Sequence, residues 1–346
     1  MKIDFMKLAI ELAEQVDPHA VSPNPRVACV IVKLRSSNYN LQSLKKEIIS
    51  EGVHRKFGGL HAEREAIEKL GENYNLSDCE VYITLEPCDV FSGKKTPSCT
   101  DLLIQKRPQK VIVGSLDPRF KGENLEKIRK AGIEVEVQSN EKCNSLNPFL
   151  EKFVTTGLPY VTLKLAQSLD GKITKQIPGS GNFEPGIEYI SNELSRKKVH
   201  EMRANYSAIL TTTETILQDD PRLDCRLDGS SNPDLIVIGK REIPKTAKIF
   251  SIPDRKIHFF ETHNLEEVLQ ECGKKGIDSI MTECGAEVCT ELLKQDLVDE
   301  IQLFIASEIF GIGKNSFTTD LSSNFKKFKL CEVENLEGDV LMRFKF

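Results

Sequence analysis

The sequence predicts two α/β domains in succession. Short apolar runs of strand length alternate with amphipathic helical segments along the chain, which is typical of layered α/β folds. The 346 residues suffice for about two domains of roughly 150 residues each. The alternation restarts after the Gly-Leu-Pro sequence at 157–159. We therefore place the boundary near residues 150–159, with a first domain at 1–150 and a second at 151–346.

Helices and strands alternate through the first half. Apolar residues recur at helical spacing over residues 5–16, and Pro18 ends this helix. Residues 28–32 form an apolar run typical of a buried strand. Residues 61–70 place their apolar side chains on one helical face. The other predicted elements are an irregular hairpin at 34–50, helices at 100–106 and 125–131, and strands at 81–85, 110–114 and 133–137.

The second half repeats this alternation. It starts with a strand at 160–165 and closes with a hairpin at 327–345, whose turn is Glu337-Gly338-Asp339. The predicted elements between them are helices at 193–202, 265–274 and 288–295 and strands at 208–210, 235–238, 279–282 and 300–306.

Composition excludes several classes of function. Lys and Arg number 47 against 52 Asp and Glu, a net charge of −5, so no electrostatic feature favours nucleic acid or an anionic membrane. Charged residues interrupt the first seven positions, and no apolar run approaches the roughly 18 residues of a membrane span. We expect a cytoplasmic protein with reduced thiols. Each of the ten cysteines is then a core residue or a metal or catalytic ligand.

One set of residues predicts a zinc site. His61 and Glu63 form an H-A-E motif, Cys88 follows a proline, and Cys99 ends a T-P-S-C sequence. A catalytic zinc takes three nitrogen or sulfur ligands and a water, which His61, Cys88 and Cys99 provide. Zinc lowers the pKa of that water, and Glu63 is placed to carry protons, as in zinc deaminases. Taken singly, His61 could cap a helix and each cysteine could fill the core; together they favour zinc.

The spacing of the cysteines departs from the general deaminase pattern. That pattern has its two cysteines three positions apart, on one helical turn. Cys88 and Cys99 lie eleven positions apart, so a loop at 89–98 must separate them.

The first half resembles the bifunctional riboflavin-biosynthesis deaminase–reductase family, in which this loop is characteristically long. The matching motifs are S-P-N-P-R-V at 22–27, G-V-H at 52–54, H-A-E at 61–63, V-Y-I-T-L-E-P-C at 81–88, T-P-S-C-T at 96–100 and D-P at 117–118. The resemblance implies a cytidine-deaminase-like three-layer α/β/α domain. It also implies that Asn24 and His54 contact a pyrimidine, and that Lys94 or Lys95 with Thr96 contacts the other end of the substrate. Alternatively, Asn24 only shapes a turn and His54 is a surface loop residue.

Spacing alone identifies no cofactor in the second half, since neither a Walker loop nor a dinucleotide fingerprint is present. The resemblance extends here through L-K-L-A at 163–166, S-L-D-G-K at 168–172, D-D-P-R-L at 219–223 and shorter matches. It implies a dihydrofolate-reductase-like domain that uses NADPH. The residues implied to bind substrate or cofactor are Lys164, Ser168, Asp170, Ser191, Arg203, Thr215, Asp219, Leu223, Arg226 and Glu283. For any single Arg, a surface ion pair is the alternative interpretation.

The second half also departs from its family. The segment Thr211-Thr212-Thr213-Glu214-Thr215 replaces a glycine-bearing turn, which restricts the backbone and adds a negative charge. Cys284-Gly285 stands in place of Gly-Gly, and Tyr189 in place of a Trp. One hypothesis is therefore that the reductase half binds NADPH weakly or is inactive.

The resemblance implies two reactions. Zinc-dependent hydrolysis removes the 2-amino group of 2,5-diamino-6-(5-phosphoribosylamino)-4(3H)-pyrimidinone, and NADPH then reduces the ribosyl group to ribityl. The alternatives are a deaminase with a degenerate second domain, a tRNA-editing zinc deaminase, and a structural zinc protein with Cys79 as fourth ligand. We expect a small-molecule substrate and no nucleic-acid or membrane partner; both a monomer and a homo-oligomer remain open.

Overall fold

A computed structural model describes residues 3–36, 44–71, 73–90, 96–175, 189–262, 264–318 and 327–345. Contacts divide the chain into two compact units, Met1–Thr156 and Gly157–Phe346. The predicted boundary at 150/151 falls within a helix at Leu150–Thr156, after its first residue, and the contacts include this whole helix in the first unit. Within the described residues, no helix is both long and apolar enough to cross a membrane.

The first unit contains one five-stranded sheet. Its strands are β1 (Ala28–Ser36), β2 (Leu44–Val53), β3 (Cys79–Ile83), β4 (Lys110–Val113) and β5 (Glu134–Val137). They are ordered β2-β1-β3-β4-β5. β1 is antiparallel to both of its neighbours, whereas β3, β4 and β5 are parallel. The carboxyl ends of these three strands therefore meet at one edge.

Helices cover both faces of this sheet. They are α1 (Phe5–Glu14), α2 (Pro18–Val21), α3 (Ala62–Leu70), α4 (Cys99–Lys106), α5 (Glu123–Lys130), α6 (Glu141–Leu146) and α7 (Leu150–Thr156). Alternate residues of β1 point to opposite faces: Val30 and Val32 pack with α1 and α6, and Cys29 and Ile31 pack with α3, α4 and α5. The predicted three-layer α/β/α arrangement is confirmed.

The second unit is built on an eight-stranded sheet. Its strands are ordered β10-β9-β8-β11-β6-β12-β15-β14, and the first six are mutually parallel. β15 and β14 form the antiparallel hairpin that ends the chain. The strands are β6 (Tyr160–Ser168), β8 (Ala208–Thr212), β9 (Asp234–Ile238), β10 (Ile257–Phe260), β11 (Ser279–Thr282), β12 (Glu300–Ala306), β14 (Lys329–Leu336) and β15 (Asp339–Lys345), with β7 (Lys172–Lys175) and β13 (Gly313–Asn315) in a separate pair.

The described helices of the second unit are α8 (Glu193–Arg203), α9 (Thr213–Asp219), α10 (Leu265–Lys274) and α11 (Ala286–Lys294), with a 3₁₀ turn at Lys248–Ser251. The main core of this unit lies between the sheet and α10 and α11, around residues such as Leu163, Leu210 and Leu292. Both halves are thus α/β, as predicted.

Several short elements were not predicted. The first helix ends at Glu14, four residues before Pro18, and Pro18 opens α2, because proline fits the first position of a helix. The hairpin predicted at 34–50 is present in its described part as the antiparallel pair β1 and β2, which is longer than predicted and has one register shift, after Ile31. Helices α6, α7 and α9 and strand β10 were also not predicted, because they have few residues and little periodicity to detect.

Gly52 sets the distance between β2 and α3, the helix that carries Glu63. A Cβ at Gly52 would lie 2.0 Å from the Ala62 carbonyl oxygen and 2.5 Å from the Ala66 nitrogen, both backbone atoms. Gly52→Ala should therefore lower the free energy of unfolding of the first unit by about 1–3 kcal/mol, as overpacking does. Denaturant unfolding followed by circular dichroism measures this.

Gly285→Ala is the matched control. Its Cβ would meet no atom within 4 Å, and its φ of −74° suits any residue. An equal loss of stability in the two variants would show that the close packing of β2 against α3 does not require glycine at position 52.

Candidate functional site

The predicted metal ligands come together in the first unit. His61 Nδ1 lies 3.2 Å from Cys88 Sγ and 3.6 Å from Cys99 Sγ. One ligand atom from each residue lies within 4.8 Å of the other two, and the described residues contain no other such group of His, Cys, Asp or Glu. One imidazole and two thiols suit zinc, with a coordination position left for water.

Main-chain hydrogen bonds explain how cysteines eleven positions apart reach one site. The carbonyl of Cys88 accepts the N–H groups of both Cys99 and Thr100, each at 3.1 Å. Cys99 is the first residue of α4, and Ser98 caps that helix. The ends of the intervening loop are therefore fixed to each other whatever its length. Lys94 and Lys95 lie outside the described residues.

Glu63 lies in the first turn of α3, next to His61, which precedes the helix. Its side chain is 3% exposed. Burial raises the pKa of Glu63 to about 7, and the nearby Cys88 thiolate adds to this shift. A carboxyl group with a pKa near neutrality can both accept and donate a proton.

Cys79 does not belong to the ligand group, contrary to the structural-zinc hypothesis. It is the first residue of β3, and its Sγ donates a hydrogen bond to the carboxylate of Asp78 at 3.3 Å. The described residues thus bring three ligands together, the number that a catalytic zinc uses.

Asn24 and His54 form a polar pair close to the ligands. His54 Nδ1 donates to the Leu60 carbonyl oxygen at 2.8 Å, so Nε2 is free to accept from Asn24 Nδ2 at 3.1 Å. The rings of His54 and His61 lie 5.1 Å apart. Burial lowers the pKa of His54, which favours the neutral ring that accepts the hydrogen bond from Asn24. His54 is therefore a buried residue beside the metal site and not a surface loop residue.

Thr96 contacts a metal ligand directly. Its Oγ1 lies 3.0 Å from His61 Nε2, on the side of the ring opposite the nitrogen that faces the two thiols. Zinc-binding histidines commonly donate their second N–H to a fixed acceptor, which orients the ring. The sequence placed Thr96 at the far end of the substrate, and it gave no signal for this contact.

A large cavity occupies the carboxyl-terminal edge of the sheet in the second unit. Its volume is about 2050 Å³, larger than the roughly 300–1,000 Å³ of a pocket for a drug-sized ligand. This volume suits a dinucleotide together with a second ligand. Of the ten residues predicted to bind substrate or cofactor, eight line it: Lys164, Ser191, Arg203, Thr215, Asp219, Leu223, Arg226 and Glu283.

Ser168 and Asp170 do not line this cavity. Asp170 accepts a hydrogen bond from Ser168 Oγ at 2.6 Å and from the N–H groups of Phe310 and Gly311 at 3.0 and 2.8 Å. These bonds hold the Asp170 pKa at about 2. The pair ties the turn after β6 to the segment after β12, and its predicted part in binding stays a prediction.

Charged groups at the base of the cavity are paired with one another. Arg203 donates to both oxygens of Glu283, at 2.7 and 2.9 Å, and Lys164 Nζ lies 3.9 Å from the same carboxylate. The two cations lower the pKa of Glu283 against the effect of its burial. Asp224, which the sequence did not single out, pairs with Arg226 at 2.9 Å and accepts from Arg203 through its carbonyl. Arg203 thus positions Glu283.

The segment that replaces the family's glycine-bearing turn folds without strain. Thr212 caps α9 by accepting the N–H of Thr215 at 3.1 Å, and residues 211–215 include no positive φ. The negative charge of Glu214 is offset by an exposed ion pair with Arg241. This ion pair could not be predicted, because Glu214 follows β8 and Arg241 follows β9.

The folds and sites define a class: a zinc deaminase unit followed by a nucleotide-dependent reductase unit. Two family models match accordingly, "Cytidine and deoxycytidylate deaminase zinc-binding region" over residues 1–115 and "RibD C-terminal domain" over residues 159–342. The chain belongs to the RibD family of bifunctional riboflavin-biosynthesis enzymes, and its cofactors are zinc and NADPH.

Similarity to individual members extends over the whole chain. The riboflavin biosynthesis protein RibD of Actinobacillus pleuropneumoniae is 33% identical over 99% of this chain and 94% of its own length. The RibD of Escherichia coli is 30% identical over 98% of this chain and 97% of its own. A solved Thermotoga maritima structure, titled a diaminohydroxyphosphoribosylaminopyrimidine deaminase/5-amino-6-(5-phosphoribosylamino)uracil reductase, is 34% identical with a TM-score of 0.79, over 99% of this chain and 97% of that one. The predicted fold class is confirmed.

Removing the hydroxyl of Thr96 should weaken zinc binding. Thr96→Val keeps the shape of the side chain but leaves His61 Nε2 without its acceptor, so the ring is no longer held toward the thiols. Loss of such an orienting contact typically costs about 10- to 100-fold in metal affinity. Competition with a chromophoric chelator measures the dissociation constant. Thr96→Ser should retain near-native affinity; equal affinity in Val and Ser variants would contradict the assigned role.

Proposed function

We propose that the chain catalyses two consecutive reactions on a pyrimidine ribose phosphate. The first unit would hydrolyse the 2-amino group of 2,5-diamino-6-(5-phosphoribosylamino)-4(3H)-pyrimidinone. The second would reduce the ribosyl group of the product to ribityl with NADPH. The observation that carries the proposal is the convergence of His61, Cys88 and Cys99 beside the buried carboxyl group of Glu63. The printed title of the Thermotoga maritima structure names the same two activities.

Each functional group of the first unit has one role in the deamination. Zinc, when bound to His61, Cys88 and Cys99, lowers the pKa of a coordinated water. Glu63 takes a proton from the water that adds at C2 of the pyrimidine and delivers it to the departing amino nitrogen, which leaves as ammonia. Asn24 and His54 contact the pyrimidine. Lys94 or Lys95 would contact the phosphoribosyl end of the substrate.

Reduction takes place in the cavity of the second unit. NADPH supplies the hydride, which is delivered to C1′, and a proton goes to the ring oxygen as the ribose opens to a ribityl chain. Lys164 and Glu283 lie at the base of the cavity, where they can hold the ribose hydroxyls and move that proton. Ser191, Leu223 and Arg226 contact the substrate, with Arg226 providing the cation for its phosphate. Thr215 and Asp219 contact the cofactor.

Two observations support an active second unit. Thr211–215 forms an unstrained helix start, and Glu214 is neutralised by Arg241. The hypothesis of a degenerate reductase is therefore not favoured. The tRNA-editing hypothesis is also disfavoured, since the reductase family model spans residues 159–342. The structural-zinc hypothesis is disfavoured because Cys79 lies outside the ligand group. A cytoplasmic location, a homo-oligomeric state and the lack of a nucleic-acid partner stay predictions.

Glu63→Gln should abolish deamination without loss of zinc. The amide keeps the size of the side chain but cannot carry a proton, and general acid–base catalysis contributes about 10²- to 10⁴-fold. Ammonia release from the pyrimidine substrate measures kcat, and metal analysis measures zinc. NADPH oxidation with the deaminated substrate is the internal control and should be unchanged. A native deamination rate in a zinc-loaded variant would sink the assignment of Glu63.

Lys164→Met should impair only the second reaction. Burial lowers the Lys164 pKa, while the Glu283 carboxylate opposes this effect, so the amine is suited to proton transfer. We expect reductase kcat to fall by about 100-fold, with ammonia release unchanged. Lys275→Met, an exposed substitution on the same unit, is the control. A reductase rate equal to that of the control would exclude Lys164 from the reaction.

A further inference from the structure

The segment at 86–88, which brings the first thiol to the metal group, is held by buried polar side chains from two helices. The carbonyl oxygen of Pro87 lies 3.1 Å from Thr100 Oγ1 and 3.0 Å from Asn124 Nδ2. Thr100 belongs to α4 and Asn124 to α5, and both side chains are buried. A carbonyl oxygen has two lone pairs and can accept from both groups, although the single proton of the Thr100 hydroxyl is shared with the Cys88 carbonyl oxygen, which lies at the same distance.

Glu86 connects its segment to the start of α5 in the opposite direction, as a hydrogen-bond acceptor. Its buried carboxylate accepts the backbone N–H groups of Asp117, Gly122 and Asn124, at 3.2, 2.9 and 3.1 Å. Glu86 thereby fixes the start of α5, and the side chain of Asn124 returns a hydrogen bond to the next residue, Pro87. Hydrogen bonds thus run in both directions between the segment at 86–88 and the start of α5. They restrict sliding of one segment past the other.

The arrangement around Asn124 is costly for stability. Its Oδ1 is buried and has no hydrogen-bond partner within the described part of the chain. Exchanging the amide nitrogen and oxygen would bring two oxygens together at Pro87, so the orientation is fixed by the contact itself. An unpaired buried acceptor destabilises a fold. Such groups occur where placement of a neighbouring functional group matters more than stability.

Thr100 acts on the same segment from the other side. Its hydroxyl lies 3.1 Å from the carbonyls of both Pro87 and Cys88, and its N–H is one of the two that bind the Cys88 carbonyl. The neighbouring residue in α4 is Cys99, the second thiol ligand. Thr100 therefore couples the position of one cysteine to that of the other.

We infer that Thr100 and Asn124 are positioning residues of the zinc site, which set the place of the Cys88 thiolate by holding the Pro87 carbonyl. This inference rests on the zinc deaminase function proposed above. Neither side chain belongs to the ligand group. Their effect on zinc acts through the backbone at 87–88, as expected for groups that orient a metal ligand.

The test compares the full-length protein with Thr100→Val, Asn124→Ala and the double variant. Each single variant should bind zinc several-fold more weakly, and the double variant about 10-fold or more weakly. A chromophoric chelator measures the zinc dissociation constant. Cobalt(II) substitution gives a second readout, because its thiolate charge-transfer and d–d bands report the ligand geometry. Both bands should change in the variants.

Two controls separate positioning from general destabilisation. Thr162→Val removes a buried hydroxyl that bonds Tyr206 in the second unit, and Asn140→Ala removes the cap of α6. Both should lower thermal stability and leave zinc affinity and the cobalt spectrum unchanged. If the double variant does not fold, the zinc affinity and the cobalt spectrum of the single variants test the inference.

Native zinc affinity and an unchanged cobalt spectrum in folded Thr100→Val and Asn124→Ala would overturn the inference while leaving the deaminase proposal intact. Failure of the unaltered protein to bind zinc would overturn both. The two proposals can therefore be judged separately.

Discussion

The active site of the first unit depends on the carbonyl oxygen of Cys88, which accepts hydrogen bonds from two main-chain N–H groups. Because this oxygen binds the first two residues of α4, the chain that leaves β3 and the chain that enters α4 meet at one point. His61 reaches the same point from the start of α3. The loop between the two cysteines is then free to vary in length, since its ends are joined independently of its content.

The same geometry relates the metal ligands to the rest of the first unit. β3 and β4 are parallel, so the segments that follow them emerge at one edge and can bond to each other. Glu86 follows β3, and the loop at 117–124 follows β4; their mutual hydrogen bonds bury polar groups that would otherwise be unsatisfied. Removing any member of this set leaves a buried donor or acceptor without a partner.

Much of the zinc site and of the secondary structure could be predicted from the sequence. The ligand types and the H-A-E motif predict zinc and a proton carrier, because metal chemistry restricts both to few residue types. Periodicity predicts the long helices and buried strands. The contacts of Thr96 and Asn124 could not be predicted, since each joins residues more than thirty positions apart through tertiary packing. Asp224 was missed for a different reason: Arg226 lies only two positions away, but the link from Asp224 to Arg203 exists only once the chain has folded.

In the second unit, local sequence rules were a weaker guide. The missing glycines suggested a damaged nucleotide site, but Thr212 caps a helix that requires no left-handed backbone, and Arg241 neutralises Glu214. Arg203 showed the opposite limitation: the resemblance implied that it binds substrate or cofactor, and the folded chain pairs its guanidinium group with Glu283, a partner that the sequence does not reveal. Charge pairing across strands is set by the sheet order, which no single motif encodes.

X-ray absorption at the zinc edge tests the central claim most directly. For the zinc-loaded protein, the claim predicts two sulfur ligands at about 2.3 Å and one imidazole nitrogen at about 2.0–2.1 Å, with one further light atom completing four-coordination. Three or four sulfur ligands would mean that another cysteine closes the site, and would contradict a catalytic centre formed by His61, Cys88 and Cys99.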